Sequence, residues 1–200
     1  MVRGGDEFMI KPIDDSILVA TVLSRARRSR ALANALARDS LTGLLKHGAA
    51  KEQLSQALSR AVRAGQPCSI AMIDLDHFKQ VNDTHGHATG DKVIRALASL
   101  LKNSLRKDDI VGRYGGEEFL VVMNNLTAPA AAAKLDRLRT QFSALEFQGA
   151  EAPFQVSFSA GVSDSRSVSD VADVLIEADA ALYRAKDAGR NRVMTADDFT

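Results

Sequence analysis

Tryptophan is missing from this chain, and tyrosine, proline and cysteine are scarce, at two, four and one among 200 residues. The lone cysteine, Cys68, excludes an intrachain disulfide; it opens an apolar segment and reads as a small buried thiol. No apolar run approaches the roughly 20 residues that a membrane-spanning helix needs, and no secretory signal is visible. The cytoplasm is therefore the expected compartment. The net charge is only +1, which implies no general attraction to nucleic acid or to a membrane. There is no Walker A sequence, and no low-complexity segment beyond the alanine run 130–133. What is present is an ordinary globular composition, 46% hydrophobic and 26% charged. The length suits one domain plus an extension, with a core that needs no staples.

The most informative stretch is Arg113-Tyr114-Gly115-Gly116-Glu117-Glu118-Phe119. Ile110-Val111 leads in, and the apolar Leu120-Val121-Val122-Met123 leads out. This predicts a β-hairpin, with glycine taking positive φ in a tight turn. Glu117 and Glu118 then stand at a strand mouth, where a cation or phosphate could be held. Successive strand side chains alternate, so only one of the two shares a face with a given partner unless the turn twists them. An earlier run, Ile70-Ala71-Met72-Ile73-Asp74-Leu75-Asp76, places acid at the carboxyl end of a buried strand. An unpaired charge there is costly. A divalent cation between Asp74 and a hairpin glutamate would offset that cost. Hard oxygen ligands favour Mg²⁺, which keeps waters and completes its shell with substrate phosphates.

Asp14 or Asp15 is expected to cap a helix running to about Arg38. Leu18, Val22, Ala26, Ser29, Ala33 and Leu36 recur near a heptad seam. The helix is thus either a solvated one, with Arg25, Arg27, Arg28 and Arg30 on its wet face, or a signalling helix that pairs protomers. Asp39 to Leu44 forms a capped turn. A helix spans about 48 to 64 and ends at Gly65 and Pro67. After the Asp74 strand, Asp76 is expected to cap a short helix through Phe78-Lys79-Gln80-Val81. His85-Gly86-His87 with one cysteine makes a poor set of zinc ligands. Val93, Ile94, Leu97, Leu101 and Leu105 mark an amphipathic helix with Asp91 in its first turn. Beyond the hairpin, Ala128 to Ala144 reads as a helix and Val156 to Val162 as a strand. Val171, Val174, Leu175, Ala178 and Leu182 form a last helix that stops at Gly189, and Val193-Met194 closes as an edge strand. This order predicts an α+β fold with a mostly antiparallel central sheet flanked by helices.

Four motifs occur in register: Asp39-Ser40-Leu41-Thr42-Gly43-Leu44, Asp74-x-Asp76-x-Phe78-Lys79-x-x-Asn82-Asp83, Gly86-His87-x-x-Gly90-Asp91, and Gly115-Gly116-Glu117-Glu118-Phe119. Together with an Arg106-x-x-Asp109 upstream of the glycines, they resemble the GGDEF family of diguanylate cyclases over roughly residues 39 to 195. The resemblance implies a palm-like, ferredoxin-type nucleotidyl cyclase fold over 39–200, behind a linker helix over 13–38. It implies that two GTP molecules are condensed to cyclic di-GMP, with each domain holding one GTP, so that catalysis needs a homodimer. It assigns the metal, Mg²⁺ or Mn²⁺, to the Asp74 and Glu117 carboxylates and the Leu75 carbonyl. Glu117 would also assist deprotonation of the 3′-hydroxyl, Glu118 would support a second metal or the ribose, and Lys79 would stabilise phosphoryl charge. Asn82 and Asp91 would read guanine, and His87 would touch the substrate. Lys186 and Arg190 would reach the terminal phosphates. The plainer readings are a turn-former for Asn82, a helix-start acid for Asp91, and dipole complementation for Lys186 and Arg190. Arg106 and Asp109 would form a product-inhibition site, joined by Arg137 of a neighbouring protomer.

Two rival outcomes share these motifs. One is a catalytically silent module that senses GTP or cyclic di-GMP, and the other is a mononucleotide cyclase making cyclic GMP. A second spelling, Gly4-Gly5-Asp6-Glu7-Phe8, lacks a preceding strand and runs into Met9-Ile10-Lys11-Pro12. That context resembles the last strand of a response-regulator receiver, so residues 1–12 are expected to be a receiver remnant with no catalytic role.

Overall fold

The computed structural model describes residues 15–149, 151–165 and 170–198, with side chains left undescribed over 30–36. The expected receiver remnant lies outside these residues. The chain divides into two units, Met1–Ala37 and Arg38–Thr200. The first carries α1 (Asp15–Leu36), on which Ile17, Leu18, Val19, Val22 and Leu23 are exposed. Two members of the expected seam, Ala33 and Leu36, fall among the undescribed side chains.

The second unit runs β1 (Leu45–Lys46), α2 (His47–Ala64), β2 (Cys68–Leu75), α3 (Phe78–His85), α4 (His87–Ser104), β3 (Ile110–Arg113), β4 (Glu118–Asn124), α5 (Ala128–Ser143), β5 (Phe147–Gln148), β6 (Pro153–Phe154), β7 (Phe158–Asp164), α6 (Val171–Asp187) and β8 (Val193–Thr195). The main sheet has six strands in the order β1-β3-β4-β2-β7-β8. Its three inner pairings are antiparallel, and the short outer strands β1 and β8 pair in parallel. This is the α+β, mostly antiparallel sheet that the element order implied. β1 and the small β5–β6 hairpin were not anticipated, because two-residue strands carry no period that a sequence could show. The strand expected over 156–162 begins two residues later, at Phe158.

Strand alternation splits the core in two. Ala71, Ile73, Leu75, Phe119, Val121 and Met123 pack with α3, α4 and α5. Cys68, Ile70, Met72, Leu120 and Val122 pack with α2 and α6. With both faces covered, all eight residues of β2 are buried, which is why its sequence is an almost unbroken apolar run. Gly161 on β7 lets α6 approach: a methyl there would run into the α6 backbone at Ala178 and Leu182. Gly65, at φ 60°, ends α2 as expected, while Gln66 N–H donates to the Ala61 carbonyl at 3.0 Å.

Candidate active site

The two acid-bearing strand ends meet at one end of the inner strands β2 and β4. Asp74 lies opposite Glu118 on β4 and opposite Ser159 on β7. Just before β4, the Glu117 carbonyl accepts a hydrogen bond from Leu75 N–H at 3.4 Å. Asp74 is only 7% exposed, and its Oδ2 lies 2.9 Å from the Lys186 ammonium at the end of α6. Burial pushes the Asp74 carboxyl above its usual range; Lys186 opposes this, Asp76 adds to it, and Arg190 opposes it. Glu117 is also pushed up, by burial and then by the Asp74 charge, with Lys186 opposing and Glu118 adding. Burial and neighbouring carboxylates thus disfavour ionisation of both acids, Asp76 acting on Asp74 and Asp74 acting on Glu117. That donor set fits a hard divalent cation. Among the described residues no group of three or more His, Cys, Asp or Glu is placed to hold a metal. The acids would therefore supply part of a coordination shell rather than a closed cage.

The hairpin turn is built differently from expectation. Neither Gly115 nor Gly116 is among the glycines with positive φ. The Glu118 carboxylate instead occupies the space beside Gly115, and a methyl there would displace it. Tyr114 N–H and Gly115 N–H both donate to the Glu118 carbonyl, at 2.8 and 3.2 Å. Arg113, which sequence reasoning left without a role, grips the turn from outside. Its guanidinium donates to the Gly116 carbonyl at 2.7 and 3.1 Å and to both Asp39 oxygens at 3.3 Å. Asp39 also accepts from the Thr42 N–H and hydroxyl, at 2.9 and 2.7 Å. Burial raises the Asp39 carboxyl, but the Thr42 bonds and the Arg113 charge win and hold it below its usual value. The Tyr114 ring stacks on His47 with centroids 4.0 Å apart.

Asp76 does not cap α3. His77 occupies that position, in a left-handed conformation at φ 54°. The Asp76 carboxylate instead accepts from the Ser157 and Ser159 hydroxyls at 2.6 and 2.7 Å and from Asn191 N–H at 3.0 Å. The turn it reaches carries Arg190. Lys186, four residues earlier in the last turn of α6, is engaged by Asp74 rather than projecting alone.

The remaining candidates lie on α3 and α4. Lys79 and His87 are exposed, and Asn82 is half-buried. A methyl on Gly90 would collide with the Asn82 side-chain oxygen, so the motif glycine leaves room for that amide between the two helices. Asp91 is the fifth residue of α4, one turn later than expected, because the helix already starts at His87. It pairs loosely with Arg95 at 3.9 Å on an exposed face.

A family model described as "Diguanylate cyclase, GGDEF domain" matches residues 36–192, with the Gly115–Phe119 hairpin inside it and the Gly4–Phe8 spelling outside. The chain belongs to the GGDEF family. Diguanylate cyclase DgcP of Pseudomonas aeruginosa is 40% identical over 79% of this chain and 24% of its own length. Response regulator PleD of Caulobacter vibrioides is 36% identical over 96% of this chain and 45% of its own. The chain thus spans less than half the length of these relatives. Among solved structures, the GGDEF domain of DgcB from Caulobacter crescentus in complex with c-di-GMP superposes with a TM-score of 0.78. That domain is 34% identical, over 82% of this chain and 94% of that one. The active GGEEF domain of a diguanylate cyclase from Vibrio cholerae gives a TM-score of 0.68 at 36% identity, over 72% and 92% of the two chains. The hairpin here, Gly115-Gly116-Glu117-Glu118-Phe119, has that same GGEEF spelling.

In this GGDEF domain the Arg106-x-x-Asp109 tetrapeptide is a closed turn between α4 and β3. Asp109 Oδ2 accepts from Arg106 N–H at 2.9 Å, and Oδ1 accepts from Asn124 N–H at 3.2 Å. The Arg106 side chain is exposed and borders a cleft of about 450 Å³ shared with Arg38, Gln53 and Lys102. Arg137 is exposed on α5, and no described contact joins it to this turn. No helix among the described residues is long and apolar enough to cross a membrane.

Proposed function

We propose that this chain is a diguanylate cyclase, condensing two GTP molecules into cyclic di-GMP with release of two pyrophosphates. One observation carries the reading: the ends of β2 and β4 bring Asp74 and the Glu117-Glu118 pair together, with Asp74 opposite Glu118, Leu75 N–H bonded to the Glu117 carbonyl, and the Lys186 ammonium 2.9 Å from Asp74. In the proposal Asp74, Glu117 and the Leu75 carbonyl hold Mg²⁺. That ion, when bound, polarises the α-phosphate and lowers the pKa of an attacking hydroxyl. Glu117 also accepts the 3′-hydroxyl proton, while the Glu118 carboxylate lies against Gly115 of the turn. Lys79, Lys186 and Arg190 neutralise phosphate charge, and phosphoryl transfer relies mainly on such positioning and neutralisation. Asn82 and Asp91 bind the guanine edge, with His87 beside it. The product has two-fold symmetry and each domain holds one GTP, so two protomers must face each other. Arg106 and Asp109 bind the product as a feedback site, with Arg137 from a partner copy.

Incubation with GTP and Mg²⁺, then product chromatography, tests this. Cyclic di-GMP is expected; cyclic GMP would make the chain a mononucleotide cyclase. Binding without turnover at high protein concentration would make it a sensor. Glu117→Gln should abolish turnover, whereas Glu7→Gln should leave it unchanged. Arg106→Ala should relieve product inhibition and spare the initial rate; unaltered inhibition would remove the feedback assignment.

A further inference from the structure

We infer that Asp76 is a positioning residue for the triphosphate end of the substrate, acting through the turn that carries Arg190. The inference rests on the reading that Arg190 meets the terminal phosphates. Asp76 is 5% exposed and lies just beyond β2, two residues after Asp74. Its described partners are three uncharged donors from two other parts of the chain. Ser157 just precedes β7 and Ser159 is its second residue, and Asn191 N–H belongs to the turn between α6 and β8. A buried carboxylate is a costly choice for a purely structural tie, since a neutral group avoids the desolvation penalty. What it offers is two acceptor oxygens that bond three donors at once.

The turn needs such a tie. Gly189, Arg190 and Asn191 are consecutive left-handed residues at φ 106°, 63° and 46°. For Arg190 and Asn191 that conformation is intrinsically disfavoured and must be imposed by tertiary bonds. Arg190 N–H donates to the Ala185 carbonyl at 3.0 Å, which only continues the end of α6. The Asn191 side-chain oxygen accepts from Arg139 at 2.7 Å, fixing the turn to α5. Asp76 alone, among these bonds, fixes it to the strand that carries Asp74. Arg190 is near enough to Asp74 for its charge to act there. Asp76 therefore sets the spacing between the acid that would hold the metal and the cation that would meet the phosphates.

The test uses 3′-deoxy-GTP, which binds but cannot attack, with GMP as the comparison that lacks the β- and γ-phosphates. Asp76→Asn keeps the shape but leaves one acceptor oxygen and turns an NH₂ toward a donor. It should weaken 3′-deoxy-GTP binding about tenfold, the usual weight of a hydrogen bond to a charged group, and change GMP binding less than about twofold. Arg190→Ala should show the same selectivity, and the double variant should lose little more than Arg190→Ala alone. Equal losses for both nucleotides, full additivity, or unchanged 3′-deoxy-GTP binding in Asp76→Asn would overturn the inference. If Arg190→Ala itself leaves 3′-deoxy-GTP binding unchanged, the phosphate role of Arg190 fails, and this inference falls with it. Should Asp76→Asn not fold, Ser157→Ala carries the test, with a loss of about threefold confined to the triphosphate expected; no loss there counts against the inference.

Discussion

Arg113 and Asp39 lie 74 positions apart in sequence and are both mostly buried, with side chains 18% and 17% exposed. Their bond ties the last residue of β3 to the capped turn that opens the Arg38–Thr200 unit. Replacing Asp39 with Asn should cost about 1–2 kcal/mol, the usual worth of a charge-assisted bond. The pH sign follows from the lowered folded pKa. The contribution is complete above the ordinary carboxyl value of 3.8 and disappears as pH falls through the lower folded value. Denaturant titrations of wild type and Asp39→Asn should thus differ by a constant amount from pH 7 to about pH 5 and converge in stronger acid. Cys68 offers a second check. Burial pushes its thiol up to about 11, so it should react with a thiol reagent only on unfolding. At this scale sequence was least readable. An aspartate ahead of a short helix looks like a cap, yet Asp76 bonds to residues 81 to 115 positions away. Gly115 looks like a conformational glycine, yet its φ is not positive and the Glu118 carboxylate folds over it. Both facts are tertiary, and local pattern carries no trace of them.

Elements were far more legible, because period and length survive without tertiary information. The buried strand β2, the amphipathic α4 and the hairpin β3–β4 stand where their apolar patterns placed them. What periodicity could not provide was the closeness of α6 to β7, which turns on one glycine. Gly161→Ala would press a methyl into the α6 backbone, where no flexible side chain can yield. It should destabilise the domain by about 2–3 kcal/mol. It should also lower activity beyond that loss, because Lys186 rides on α6 toward Asp74. Melting and GTP turnover measured on the same preparation would separate the two effects. Normal stability with normal turnover would show that α6 tolerates a displacement the packing forbids.

For the whole molecule, the core lies in the Arg38–Thr200 unit, where two apolar layers cover both faces of the sheet. Removing residues 1–37 should leave cooperative melting within about 2–4 °C of the full chain, the shift that follows from a change near 1 kcal/mol. If α1 brings protomers together, the shortened chain should lose turnover at low protein concentration and regain it as concentration rises. The sheet's outer strands bear on how such a pair can form. β1 and β8 have two and three residues, too few to template another chain's backbone along either rim. Joining two of these sheets edge to edge into a continuous ladder is therefore closed off. Contact between two Arg38–Thr200 units would then rest on side chains, helices and loops, a kind of seam that can part without breaking a backbone ladder.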